Sequence, residues 1–107
     1  MPSTQLRQDV LAQARRVVIK LGTQLITTEA GLIDRTYLHR IARQVAALRQ
    51  RGMTVTLVSS GAVGSGCGEL GIERPSDIAG MQAVAAVGQR QLMTHYHDAF
   101  ARVDLKV

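Results

Sequence analysis

The chain has 107 residues, thirteen basic against eight acidic, for a net charge of +5. It is long enough for one domain of modest core. Tyr37, Tyr96 and Phe100 are its only aromatic residues. The core must therefore be aliphatic, and no aromatic platform exists for stacking bases. Eleven of the basic residues are arginines, scattered without a block of five like charges, which fits solvated helix faces rather than a nucleic-acid partner. The single cysteine, Cys67, excludes an internal disulfide and a multi-cysteine zinc site. No stretch approaches the roughly 18 apolar residues of a membrane span. A cytoplasmic location and no membrane partner are the expectation.

In chain order, Ser3 to Arg15 reads as a short helix capped by Ser3, with Leu6, Val10 and Ala14 on one face. "RVVIKL", Arg16 to Leu21, is a β-branched run whose near-continuous apolarity predicts a strand buried on both faces. "GTQLITTEAGLI" follows as a loop with a short extended piece. Asp34 caps the clearest helix, which runs to Arg51 with Leu38, Ile41, Val45 and Leu48 in one stripe and Gly52 at its C-cap. "MTVTLVS", Met53 to Ser59, is a second strand. The three elements form a βαβ unit, expected to be right-handed. A glycine-rich run leads to Ser76, a second cap, and to a long helix from Ile78 to Phe100. Its stripe of Met81, Val84, Ala85, Gly88, Leu92 and Tyr96, with Ile78 ahead of it, is expected to remain an apolar patch for want of sheet. "VDLKV", Val103 to Val107, is predicted to open a third strand.

The run "VSSGAVGSGCGELG", Val58 to Gly71, admits several readings. No lysine follows its glycines, which excludes a P-loop. Gly66, Gly68 and Gly71 spell G-x-G-x-x-G, but Gly66 lies well past the strand end, and Arg90 and Gln91 stand where an acidic ribose ligand belongs. The front of the run, "SSGAV", is more informative. It sits at the carboxyl end of a strand, where ligands bind in open α/β sheets. Ser59 and Ser60 offer hydroxyls, Gly61 lets a ligand approach the backbone, and a helix begins with its positive dipole end. "KLGT" has the same placement: Lys20 closes an apolar strand and Gly22 opens the loop. An anion at this edge is one reading. A serine-capped helix start and a snorkelling lysine are the other, and the residues alone leave both open.

"VVIKLGT" (residues 17–23), "VSSGAV" (58–63), the glycines at 66 and 71, and "MQAVAAVGQRQLM" (81–93) resemble, in order and spacing, the amino-acid kinase family and, within it, the glutamate 5-kinase branch. The resemblance covers about residues 16–100. It implies an α/β fold, a mostly parallel sheet flanked by helices, as a three-layer sandwich in the family's complete domain. Residues 1–107 would be the N-terminal part of that domain, with 1–15 an N-terminal helix. It also implies transfer of the ATP γ-phosphoryl to the γ-carboxylate of L-glutamate, with Mg²⁺, as the first step of proline biosynthesis. Lys20 would contact the transferred phosphoryl group as the catalytic residue. Gly22 and Thr23 would lie beside the ATP phosphates, and Ser60, Gly61 and Ala62 would hold glutamate. No residue is assigned to a metal. Gln24, where a serine is usual, departs from the pattern. "AVGQ", Ala86 to Gln89, is expected to serve packing and assembly rather than chemistry. Gly64 and Gly68 exceed the pattern and should loosen their helix. A homo-oligomer is expected, and the chain alone is expected to be inactive as a truncated piece. Another amino-acid kinase, or a stand-alone non-catalytic binding or assembly module, are the alternatives.

Overall fold

The computed structural model describes residues 2–107. Helix α1 spans Pro2–Gln13, strand β1 Arg16–Leu21, helix α2 Thr23–Ile26, helix α3 Arg35–Gln50, strand β2 Thr54–Ser59, helix α4 Ala62–Leu70 and helix α5 Ile78–Ala101. The strands pair in parallel, with Val17 opposite Val55, Ile19 opposite Leu57 and Leu21 opposite Ser59. Helices and a parallel sheet make this an α/β chain, as expected.

The pleat sends alternate side chains to opposite faces. Val17, Ile19, Leu21, Val55 and Leu57 line the inner face, at least half-buried. There they meet a core of Ile26 from α2, Leu38, Ile41, Ala42 and Val45 from α3, and Leu92, Tyr96, Ala99 and Phe100 from α5. The outer face is bare: Val18 is 69% exposed and Val58 47%. Burial on both faces is therefore corrected. α3 and α5 both pack on one side of the sheet, and no described element covers the other.

Asp34 caps α3, its Oδ1 accepting from the Tyr37 N–H at 3.0 Å. Gly52, at φ +84°, follows the helix end, where its lack of Cβ permits the left-handed turn into β2. α5 is capped by Asp77 rather than Ser76: the Asp77 carboxylate accepts from the Gly80 N–H at 2.9 Å. Both residue types can cap, and the one whose oxygen meets the first turn does so. Ser3 does not cap α1 but lies inside it, and the helix ends at Gln13. Leu6, Val10 and Leu11 of α1 are all more than half exposed.

The 22–33 loop holds the one-turn α2 and a single antiparallel bridge between Thr27 and Ile33. The third strand does not form. After α5, Val103 N–H and Leu105 N–H both donate back to the Phe100 carbonyl, and Asp104 takes φ 60°. The turn folds Val103 and Leu105 against the core instead of extending them. Most of the α5 stripe is likewise not left open. Val84, Gly88, Leu92 and Tyr96 are buried, Met81 and Ala85 half-buried, and only Ile78 stands out at 71% exposed. α4 covers the first half of that stripe, where sheet was expected to be missing.

Candidate functional site

Parallel pairing brings the carboxyl ends of β1 and β2 to one edge. The Ser60 N–H donates to the Leu21 carbonyl at 3.0 Å, so the ladder continues one residue beyond β2. Lys20, Gly22 and Thr23 therefore share this edge with Ser60, Gly61 and Ala62. Lys20 lies opposite Val58 in the register and is exposed. Gly22 precedes α2 with ordinary extended backbone, φ −75° and ψ 165°, and a Cβ there would meet nothing within 4 Å. Thr23, also exposed, begins α2, and its carbonyl accepts from Thr27 Oγ1.

The other half of the edge is more tightly built. Gly61 has φ +109°, a conformation that L side chains rarely adopt. A Cβ on it would also crowd Ile26 Cδ1 at 2.8 Å. From this turn α4 starts. Among the described residues, the N–H groups of Gly61, Ala62, Val63 and Gly64 have no hydrogen-bond acceptor, and Ser65 N–H is the first to bond, to the Gly61 carbonyl at 2.9 Å. Four successive free donors at a helix start, with the positive end of the helix dipole, make a cradle for a carboxylate or phosphate oxygen.

One stripe of α5 holds the cradle. Gly88, Leu92 and Tyr96 recur one helical turn apart. A Cβ on Gly88 would fall on the Ala62 carbonyl oxygen and the Gly66 amide, so only glycine lets α4 approach. Gly66 is the reciprocal case, set against the Val84 carbonyl. Leu92 Cδ1 lies beside Gly61, 3.8 Å from where a Cβ would stand. Tyr96, buried, donates its hydroxyl to Ser59 Oγ at 2.6 Å, and Ser59 Oγ donates to the Ser60 carbonyl at 2.9 Å. Burial pushes the Tyr96 phenol up, with a smaller contribution from Tyr37 and against the Ser59 hydrogen bond, so it remains a donor well past neutrality. Of "AVGQ", Gly88 alone packs α5 on α4, while Ala86, Val87 and Gln89 are exposed. Gly64 and Gly68 open onto a groove of about 370 Å³ between α4, α5 and residues 31–35, and the helix forms despite them.

Nothing in the sequence marks Tyr96 chemically as a neighbour of Ser59 and Ser60. Its available signal was position: the one tyrosine in the α5 stripe, two turns beyond Gly88. A cavity of about 670 Å³ between β2, α3, α5 and the C-terminal turn reaches this edge only at Ser59, and Arg49, Asp104 and Lys106 line it beside aliphatic residues. No group of three His, Cys, Asp or Glu among the described residues is placed to hold a metal ion. Nor is any described helix long and apolar enough to cross a membrane.

Comparison with known proteins agrees with this architecture. Residues 15–107 match the amino acid kinase family. The chain is 45% identical over 103 residues to a glutamate 5-kinase of Citrifermentans bemidjiense, covering 95% of this chain and 28% of that protein. It is 50% identical over 95 residues to a glutamate 5-kinase of Thermus thermophilus, covering 88% of this chain and 25% of that one. With a glutamate 5-kinase of Bifidobacterium adolescentis the identity is 42% over 107 residues, 99% of this chain and 28% of the relative. The chain thus spans little more than a quarter of the length of the curated relatives it matches. With a family match over residues 15–107 and a parallel βαβ core, the chain belongs to the amino acid kinase family.

Proposed function

We propose that this chain supplies the glutamate cradle and the phosphoryl-contacting lysine of an ATP-dependent glutamate 5-kinase. The observation that carries this reading is the run of four free amides from Gly61 to Gly64, beside the strand whose last two residues are Lys20 and Leu21. The similarity to proteins named glutamate 5-kinase selects the substrate. In this reading the Ser60–Ala62 segment holds L-glutamate with its γ-carboxylate toward the strand ends. A γ-carboxylate oxygen attacks the ATP γ-phosphorus, the bond to the bridging oxygen breaks, and ADP leaves. Lys20, exposed and unpaired among the described residues, puts its ammonium on the transferring phosphoryl group as charge shifts to the leaving oxygen. Gly22 and Thr23 lie beside the phosphates.

Mg²⁺ in such reactions neutralises phosphate charge. The described residues do not offer it a protein ligand set, and no step here runs through it. With one lysine and no acidic cluster at the edge, the 107-residue chain is expected to bind L-glutamate without releasing ADP from ATP. Self-association through the bare outer sheet face belongs to the same proposal.

The test has a binding arm and a kinetic arm. Calorimetric titration of the chain should show binding of L-glutamate and none of D-glutamate. The kinetic arm uses a chimera in which residues 15–107 replace the matching segment of the Thermus thermophilus relative. There Lys20→Ala should lower kcat about 10²-fold with little change in glutamate KM, because one preorganised charge at a developing phosphoryl contributes about 3 kcal/mol. Ser60→Ala should act mainly on glutamate KM. Equal activity of both variants and the parent chimera would contradict the assignment, as would turnover by the 107-residue chain alone at about one per second.

A further inference from the structure

We infer that Tyr96 is a positioning residue for the cradle: acting through Ser59, it fixes the plane of the Ser60–Gly61 peptide so that the Gly61 N–H faces the strand-end edge. The inference rests on the function proposed above for what the cradle holds, but its geometry stands apart from that reading.

A trans peptide directs its C=O and its N–H to opposite sides. Whatever fixes the Ser60 carbonyl therefore fixes the Gly61 N–H. Here the carbonyl accepts from Ser59 Oγ at 2.9 Å, and Ser59 Oγ accepts from the Tyr96 hydroxyl at 2.6 Å. The chain begins on a ring 4% exposed within α5 and ends on the backbone of the glutamate segment. The need for an external hold is plain. Gly61 has no side chain to restrict its flanking peptides, and its N–H has no acceptor among the described residues. A hydroxyl alone on Ser59 could rotate among partners. Accepting the buried phenol's proton commits the Ser59 proton to the Ser60 carbonyl. Leu92 and Gly88, one and two turns earlier on the same stripe, hold Gly61 and Ala62 by contact. Tyr96 adds the orientation that contact alone does not supply.

The test is amide-resolved NMR on the 107-residue chain. In ligand-free protein the residual dipolar coupling of the Gly61 N–H reads its direction, and the Ser60 carbonyl carbon reads its hydrogen bond. Tyr96→Phe keeps the ring and removes the hydroxyl. It should move both signals while the couplings of Gly66 and Gly88, which report the helix crossing, stay as in the parent. Ser59→Ala should reproduce the change, and Ser59→Thr, which restores a hydroxyl, should reverse it. If Tyr96→Phe fails to fold, Ser59→Ala decides, since Ser59 is exposed and lies outside the core cluster. Affinity for L-glutamate should fall about fivefold in either variant. Unchanged Gly61 and Ser60 signals in Ser59→Ala would overturn the inference. Signals that move as described, in a parent chain that gives no response to L-glutamate, would support the positioning role and overturn the glutamate reading instead.

Discussion

The two halves of the strand-end edge differ in how they are held. Ser60, Gly61 and Ala62 are clamped from three sides: the Leu21 carbonyl, Ile26 of α2, and the Gly88–Leu92–Tyr96 stripe of α5. Lys20, Gly22 and Thr23 are bonded through their backbones only. Lys20 and Thr23 are exposed, and the space beside Gly22 is empty. Holding a small zwitterion in one orientation requires fixed donors, since a freely rotating amide gives up part of its binding free energy to ordering. A flexible lysine can follow a moving phosphoryl group. The contrast teaches that this chain builds the Ser60–Ala62 half of the edge from its own packing and leaves the Lys20–Thr23 half open.

The largest effect that could break this comparison comes from glycine substitution. Gly88→Ala places a methyl group on the Ala62 carbonyl and the Gly66 amide, all backbone and unable to swing aside. It should cost about 3 kcal/mol of stability by denaturant unfolding, at the upper end of the overpacking range. Gly22→Ala, on extended backbone with open space, should stay within about 0.5 kcal/mol of the parent. Equal costs at the two glycines would mean that the halves are held alike.

A smaller effect sharpens the comparison by locating a pH dependence away from the edge. His39, half-buried on α3, is held below the usual histidine range by burial first, then by Arg102, Arg35 and Arg43. The unfolded chain accepts the proton more readily than the folded one. This contribution to stability is therefore fully present above the ordinary histidine range and is lost as pH falls through it toward the lowered folded value. Denaturant midpoints at about pH 8 and about pH 5.5 should differ less in His39→Gln than in the parent. The Gly61 and Ala62 amide signals should be indifferent to this step.

Much of this was legible in the chain. The β-branched run at residues 16–21, the Asp34 cap and the Leu38–Ile41–Val45 stripe placed β1 and α3 almost to the residue, because each signal is local. The edge location of Lys20 and Ser60 followed from parallel pairing alone. Failures arose where the outcome depended on partners distant in sequence. "RVVIKL" reads as a doubly buried strand, but whether its second face is covered depends on which side α5 takes. "VDLKV" alternates like a strand, yet the helix end captures it, with Leu105 N–H turned back onto Phe100. Tyr96 and Ser59 are 37 residues apart. Their link requires α5 to lie against β2 at one particular register, which the periodicity of neither segment encodes. The close α4–α5 crossing is an intermediate case: its glycines stand out in the sequence, but their partnership does not.

Native-state hydrogen exchange on the ligand-free chain tests the contrast between the halves most directly. Openings that expose an amide cost free energy in proportion to the structure that must come apart. The Ser60 amide, bonded to Leu21, and the Ser65 amide, bonded to Gly61, should exchange only through openings that approach global unfolding. The Leu25 amide, bonded across the single turn from Gly22, should exchange through a far cheaper local opening. Protection of Leu25 equal to that of Ser60 and Ser65 would contradict the account, because it would show the Lys20–Thr23 half to be as firmly built as the Ser60–Ala62 half.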